Sequence, residues 1–216
     1  MSLTLYFHPL SSFCHKALIA LYENDIPFKP VSVDLSNETS RNAFRAVWPV
    51  GKFPVLRDEA KNRLVPESTS IIEYLALHYP GRSKLIPANA EAALKTREID
   101  RFYDLSLHVN MQKIIGDRFR PAGQKDPHGV EHARDKVETA LALADKDMAD
   151  KTWAIGNDFT MADCAAAPPL FYCDMVIAPL AGRYANLTAY LGRLKERPSY
   201  ARTLKEAEPF MHMVPR

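Results

Sequence analysis

With 216 residues and 47% hydrophobic side chains, the chain has enough apolar material for a sizeable core in one or two domains. Its 28 basic and 26 acidic side chains leave a formal charge of only +2, with no Lys/Arg block beyond a couple of residues, so neither nucleic acid nor an anionic membrane is an expected partner. Cys14, Cys164 and Cys173 are too few and too scattered for a disulfide framework or a paired C-x-x-C metal site, which points to a reducing compartment and no metal.

The opening MSLTLYFHPL has no basic region followed by a long apolar stretch and a cleavage site. No run of about 18 apolar residues occurs, and a cytoplasmic protein without membrane spans is expected. Leu3, Leu5 and Phe7 alternate with Thr4 and Tyr6 and predict a strand. His8-Pro9 breaks it, and Ser11-Ser12 can cap a helix over 13–23. Asn24-Asp25 closes that helix, and Val31 and Val33 alternate in a second strand at 30–35, so the chain opens with a βαβ unit.

A polar helical stretch follows at 38–46, then a turn at Trp48-Pro49-Val50-Gly51. Segments 53–56 and 63–65 read as a hairpin, and 68–79 as a helix apolar at Ile71, Ile72, Leu75 and Ala76. The predicted order is βαβαββα, ended by an aperiodic linker at 81–87. Beyond it only helices are predicted. A fourth helix carries one stripe of Phe102, Leu105 and Val109 and a second of Tyr103, Leu107, Met111 and Ile114, which predicts a central helix apolar on two faces. Further helices are read at 130–148, 161–172, 184–196 and 199–206, and Pro168-Pro169 should end or kink the second of these.

Three separated segments of the first half carry chemistry. Ser11-Ser12-Phe13-Cys14-His15-Lys16 lies where a strand hands over to a helix, whose free backbone N–H groups and dipole favour an anion such as a thiolate. On its own the segment is an N-cap candidate, and capping is the commoner role of such an isolated serine pair. In Gly51-Lys52-Phe53-Pro54-Val55-Leu56, Pro54 interrupts a strand pattern, as either a cis proline or an edge-strand proline. In Pro66-Glu67-Ser68, Ser68 can cap the next helix, and Glu67 beside it can hold an ammonium group while the helix start takes a carboxylate.

In this order the segments resemble the glutathione transferase family over essentially the whole chain. The family pattern is a turn bearing Ser, Thr, Tyr or Cys after the first strand, a V-P-x-L-like segment, and E-S or Q-S opening the third helix. Gly156-Asn157-Asp158-Phe159-Thr160-Met161-Ala162-Asp163 resembles the capping box of the family's helical domain, with Thr160 as cap, Asp163 reaching back and Phe159 as staple. The first segment is most similar to the serine-type theta and zeta classes.

The resemblance implies a thioredoxin-like α/β domain at 1–80, a linker at 81–87 and an all-helical domain at 88–216. It implies glutathione as co-substrate, a detoxifying conjugation reaction and a homodimer. It places the catalytic hydroxyl at Ser11, or at Ser12 if the turn shifts by one residue. Lys52, Phe53, Pro54, Val55, Glu67 and Ser68 would hold glutathione. Between the domains, His8, Leu10 and Phe13 would face Tyr103, Leu107 and Met111 around a small hydrophobic electrophile.

A thiol with a pKa near 8.5 must be acidified to react at neutral pH, and two units correspond to about 2.7 kcal/mol. One hydroxyl hydrogen bond to a charged acceptor, aided by a helix start, is of that size. Two other activities fit the same fold: a glutathione-dependent disulfide reductase, with Cys14 as a possible participant, and a non-catalytic glutathione-binding stress protein.

Overall fold

The computed structural model describes residues 2–215. Strand β1 (Leu3–Phe7) buries Leu3, Leu5 and Phe7, as its alternation requires. Helix α1 (Ser12–Glu23) returns the chain to β2 (Lys29–Ser32), which pairs in parallel with β1. Helix α2 (Glu38–Val47) precedes the antiparallel pair β3 (Val55–Asp58) and β4 (Arg63–Pro66), and α3 (Ser68–His78) closes the unit. The sheet order β2-β1-β3-β4 is mixed, with β1 and β3 inside. The second strand ends at Ser32, short of the predicted 35, because Asp34 turns the chain by accepting from Ser36 N–H and Asn37 N–H.

Helices α4 (Ala90–Arg101), α5 (Val109–Arg118), α6 (Pro127–Asp147), α7 (Met161–Val176), α8 (Ala185–Glu196) and α9 (Pro198–Ala207) form the second unit. Between α4 and α5, residues Phe102–His108 run as a π-helix, and Val109 N–H bonds Asp104 O five residues back. The extra residue per turn splits the predicted apolar stripes. Tyr103, Leu107, Met111 and Ile114 are buried, while Leu105 and Val109 are 65% and 47% exposed. Of the two apolar faces, one is buried within the chain and the other lies at its surface.

Helix α1 joins the two units. One side packs on α3 and the other on α7 and α9, so nearly every residue from Cys14 to Leu21 is buried. Glu23 at its end accepts from Arg197 Nη2 at 2.6 Å and Nε at 2.9 Å, and from the hydroxyls of Ser83 and Ser199.

Helix α7 does not stop at Pro168-Pro169; it continues to Val176. Its residues from Met161 to Leu170 are all buried, and the packing on α1, α4 and α8 outweighs the missing N–H groups. Its start is the expected capping box: Asp163 accepts from Thr160 N–H at 2.8 Å, and its other oxygen takes Ala154 N–H and the Tyr190 hydroxyl. Among the described residues no helix is long and apolar enough to cross a membrane.

Candidate functional site

Ser11 ends the turn after β1 with extended backbone and caps α1, its Oγ accepting from Cys14 N–H at 3.3 Å. That bond uses an oxygen lone pair and leaves the hydroxyl proton for another partner. Ser12, one residue on, is buried and points the other way. Its Oγ lies 2.6 Å from His108 Nε2 and accepts from Gln112 Nε2 at 3.3 Å.

Two cavities meet at this turn. A groove of about 560 Å³ holds Lys52, Pro54, Glu67 and Ser68, with Asp104 at its far wall. A second cavity of about 480 Å³ lies against α5 and the C-terminal segment, walled by Leu10, Met111, Ile115, Phe119, Tyr172 and Met213. Among the described residues only Ser11, Phe53 and Gln112 line both. Ser12 lines the second alone.

The groove is built as its sequence suggests. The Phe53–Pro54 peptide is cis, and Val55 opens β3 directly after it. Glu67 stands at φ 68°, a left-handed backbone that few non-glycine residues adopt. It is exposed, and the buried Ser68 behind it begins α3, so a carboxylate side chain and a helix start share one spot. Lys52 is exposed on the opposite lip.

The residues expected to face an electrophile divide. His8, Leu10 and Met111 line the apolar cavity. Phe13 instead stacks on the His108 ring at 3.7 Å between centroids and borders the groove. Tyr103 and Leu107 are buried in the helical core and reach neither cavity, because the π-helical turn directs them into the second unit.

Cys14 is a packing residue. It is wholly buried, and burial pushes its thiol up to about 12, against the smaller effect of the Ser11 hydroxyl. It has no thiolate with which to take part in disulfide exchange at neutral pH.

No local sequence pattern marks Lys16, His108 or Gln112 as parts of a site. Lys16 is fully buried and pairs with Asp100 at 2.6 Å and Asp104 at 2.7 Å, while also donating to Thr69 Oγ1. Asp104 sits four residues before His108, and its second oxygen lies 3.9 Å from His108 Nδ1. Burial works against the charged Asp104, but His108 and Lys16 together hold its carboxyl below the usual range. Burial lowers the His108 imidazole, so it is neutral at pH 7 despite Asp104. Ninety-six positions separate Ser12 from His108, and no local pattern announces such a contact.

The arrangement is a thioredoxin-like unit whose helix start faces a peptide-sized groove, set beside an apolar cavity supplied by a helical unit. Residues 5–83 match the family description "Glutathione S-transferase, N-terminal domain", and residues 127–193 match "Glutathione S-transferase, C-terminal domain". Glutathione S-transferase GstA of Escherichia coli is 30% identical over 83% of this chain and 87% of its own length. GstB of the same species is 25% identical over 91% and 95%. The crystal structure of a Methylobacillus flagellatus glutathione S-transferase with glutathione bound superposes with a TM-score of 0.85 at 25% identity, covering 94% of this chain and 98% of that one. This chain belongs to the glutathione S-transferase family.

Proposed function

We propose that the protein conjugates the thiolate of glutathione to a small apolar electrophile, with the Ser11 hydroxyl donating to the sulfur. The observation that carries this reading is that Ser11 lies where the groove and the apolar cavity meet, its Oγ accepting from Cys14 N–H, whereas the Ser12 Oγ is engaged by His108 and Gln112. Residues 1–80 then bind glutathione and 88–216 supply most of the electrophile wall, with 81–87 between them.

In the groove, Glu67 takes the γ-glutamyl ammonium and the start of α3 at Ser68 takes the adjoining carboxylate. Val55, expected to pair with the cysteinyl backbone, is wholly buried and outside the groove lining, so that pairing falls to the groove residue Phe53 beside Pro54, and Lys52 attracts the glycyl carboxylate. The thiolate sits at the start of α1, whose dipole adds to the serine hydrogen bond. Ser11 stabilises the anion and does not itself attack. The buried, unreactive Cys14 favours conjugation over a dithiol reaction.

We also expect a dimer of identical chains. Leu77 on α3 and Leu94 on α4, 73% and 61% exposed, and Leu105 and Val109 on the open face of the π-helical stretch are the apolar side chains a second copy would cover. Sedimentation returning only the 24.4 kDa chain at micromolar concentration would refute the dimer. Calorimetry with glutathione and a conjugation assay test the reaction. Glu67→Ala should weaken glutathione binding roughly tenfold without lowering the unfolding temperature, since an exposed charge-assisted contact is lost and no core is disturbed. Unchanged affinity removes Glu67 from the site.

A further inference from the structure

Gln112 is an exposed residue of α5 and one of the three that border both cavities, opposite Ser11. The chain of contacts behind it fixes which way its amide points. Lys16 donates to Asp104 at 2.7 Å, and the other Asp104 oxygen lies 3.9 Å from His108 Nδ1, beyond hydrogen-bond distance but close enough for the carboxylate's charge to favour the tautomer with its hydrogen on Nδ1. Neutral His108 therefore presents a bare Nε2, and the single proton of Ser12 goes to it at 2.6 Å. Ser12 Oγ is left as an acceptor, and Gln112 Nε2 donates one hydrogen into it. The second hydrogen of the same nitrogen has no place in that chain and is free for the junction where sulfur and electrophile meet.

Resting on the conjugation reading above, we propose that Gln112 is a specificity-determining residue that favours α,β-unsaturated carbonyl compounds, its free N–H donating to their carbonyl oxygen. As the thiolate adds, its electron pair forms the C–S bond at the β-carbon, and the C=C π pair moves to place negative charge on that oxygen. Water then protonates the α-carbon, restoring the proton that the thiol lost. An alkyl halide of similar size develops charge on a departing halide, with no oxygen for the amide to meet. A donor already oriented by Ser12, His108, Asp104 and Lys16 stabilises the enolate without reorganising.

The test compares cinnamaldehyde with benzyl chloride, which share an aromatic ring and differ in this chemistry. Gln112→Met keeps side-chain length and removes the donor. The ratio of kcat/KM for cinnamaldehyde to that for benzyl chloride should fall roughly tenfold or more, below the 10²–10³ typical of an enclosed oxyanion site because this junction is open. Gln112→Glu, which can only accept when ionised, should lower the ratio further. A ratio unchanged in both variants, or a wild type that conjugates benzyl chloride but not cinnamaldehyde, overturns the proposal and leaves the conjugation reading intact. A wild type that binds glutathione yet conjugates neither compound overturns both.

Discussion

Removing the Ser11 hydroxyl should raise the pKa of bound glutathione by one to two units. The hydroxyl caps α1 through a 3.3 Å bond from Cys14 N–H and lies at the cavity junction. A hydrogen bond to a charged acceptor contributes about 1.5–3 kcal/mol, and about 1.36 kcal/mol corresponds to one unit. Ser11→Ala should also cost about 1 kcal/mol of stability through the lost cap. The thiolate fraction of bound glutathione, followed by its ultraviolet absorbance across a pH titration, reads the shift directly. Turnover should fall most at neutral pH and recover in alkali. Ser12→Ala should act differently, because it strands the buried Nε2 of His108. It should destabilise the fold by about 1–3 kcal/mol and leave the thiol titration in place. If Ser12→Ala moves the titration and Ser11→Ala does not, the catalytic assignment belongs to Ser12; if neither moves it, hydroxyl stabilisation of the thiolate is wrong.

Lys16→Met should lose about 3–5 kcal/mol in denaturant unfolding, since Asp100 and Asp104 would be left buried together without a cation. A loss below about 1 kcal/mol would mean that the interface relaxes to admit water. His15 is wholly buried, and burial, reinforced by His108 and opposed by the Pro9 carbonyl, lowers its pKa to about 4. Between pH 6.5 and about 4 the unfolded chain therefore binds the extra proton. Stability should decline on the order of 3 kcal/mol as pH falls through that window, and His15→Gln should flatten the slope. An aromatic disulfide reagent should label none of the three buried cysteines in the native protein and all three after unfolding; rapid native labelling of Cys14 would contradict its assignment as packing.

The sequence determined those features whose causes lie within a few residues. The alternation of Leu3, Leu5 and Phe7 and the caps at Ser11 and Thr160 are local patterns, and each stands where expected; at Pro66-Glu67-Ser68 the helix starts on schedule, but Glu67 and not Ser68 takes the cap position, and its side chain makes no cap bond. They sufficed for the βαβαββα order and for the groove. The choice between Ser11 and Ser12 could not be made that way, because both fit a helix start. The proposal for Ser11 rests instead on His108 and Gln112, 96 and 100 positions away, which bond Ser12. Those two residues are in reach because seven residues wind as a π-helix beside α1 and bring Asp104 to Lys16 and His108 to Ser12. A lysine on a helix reads as a surface residue until a second unit packs over it. Once buried it requires carboxylates, since an unpaired charge away from water costs several kcal/mol, and that long-range demand is written in no window of the chain.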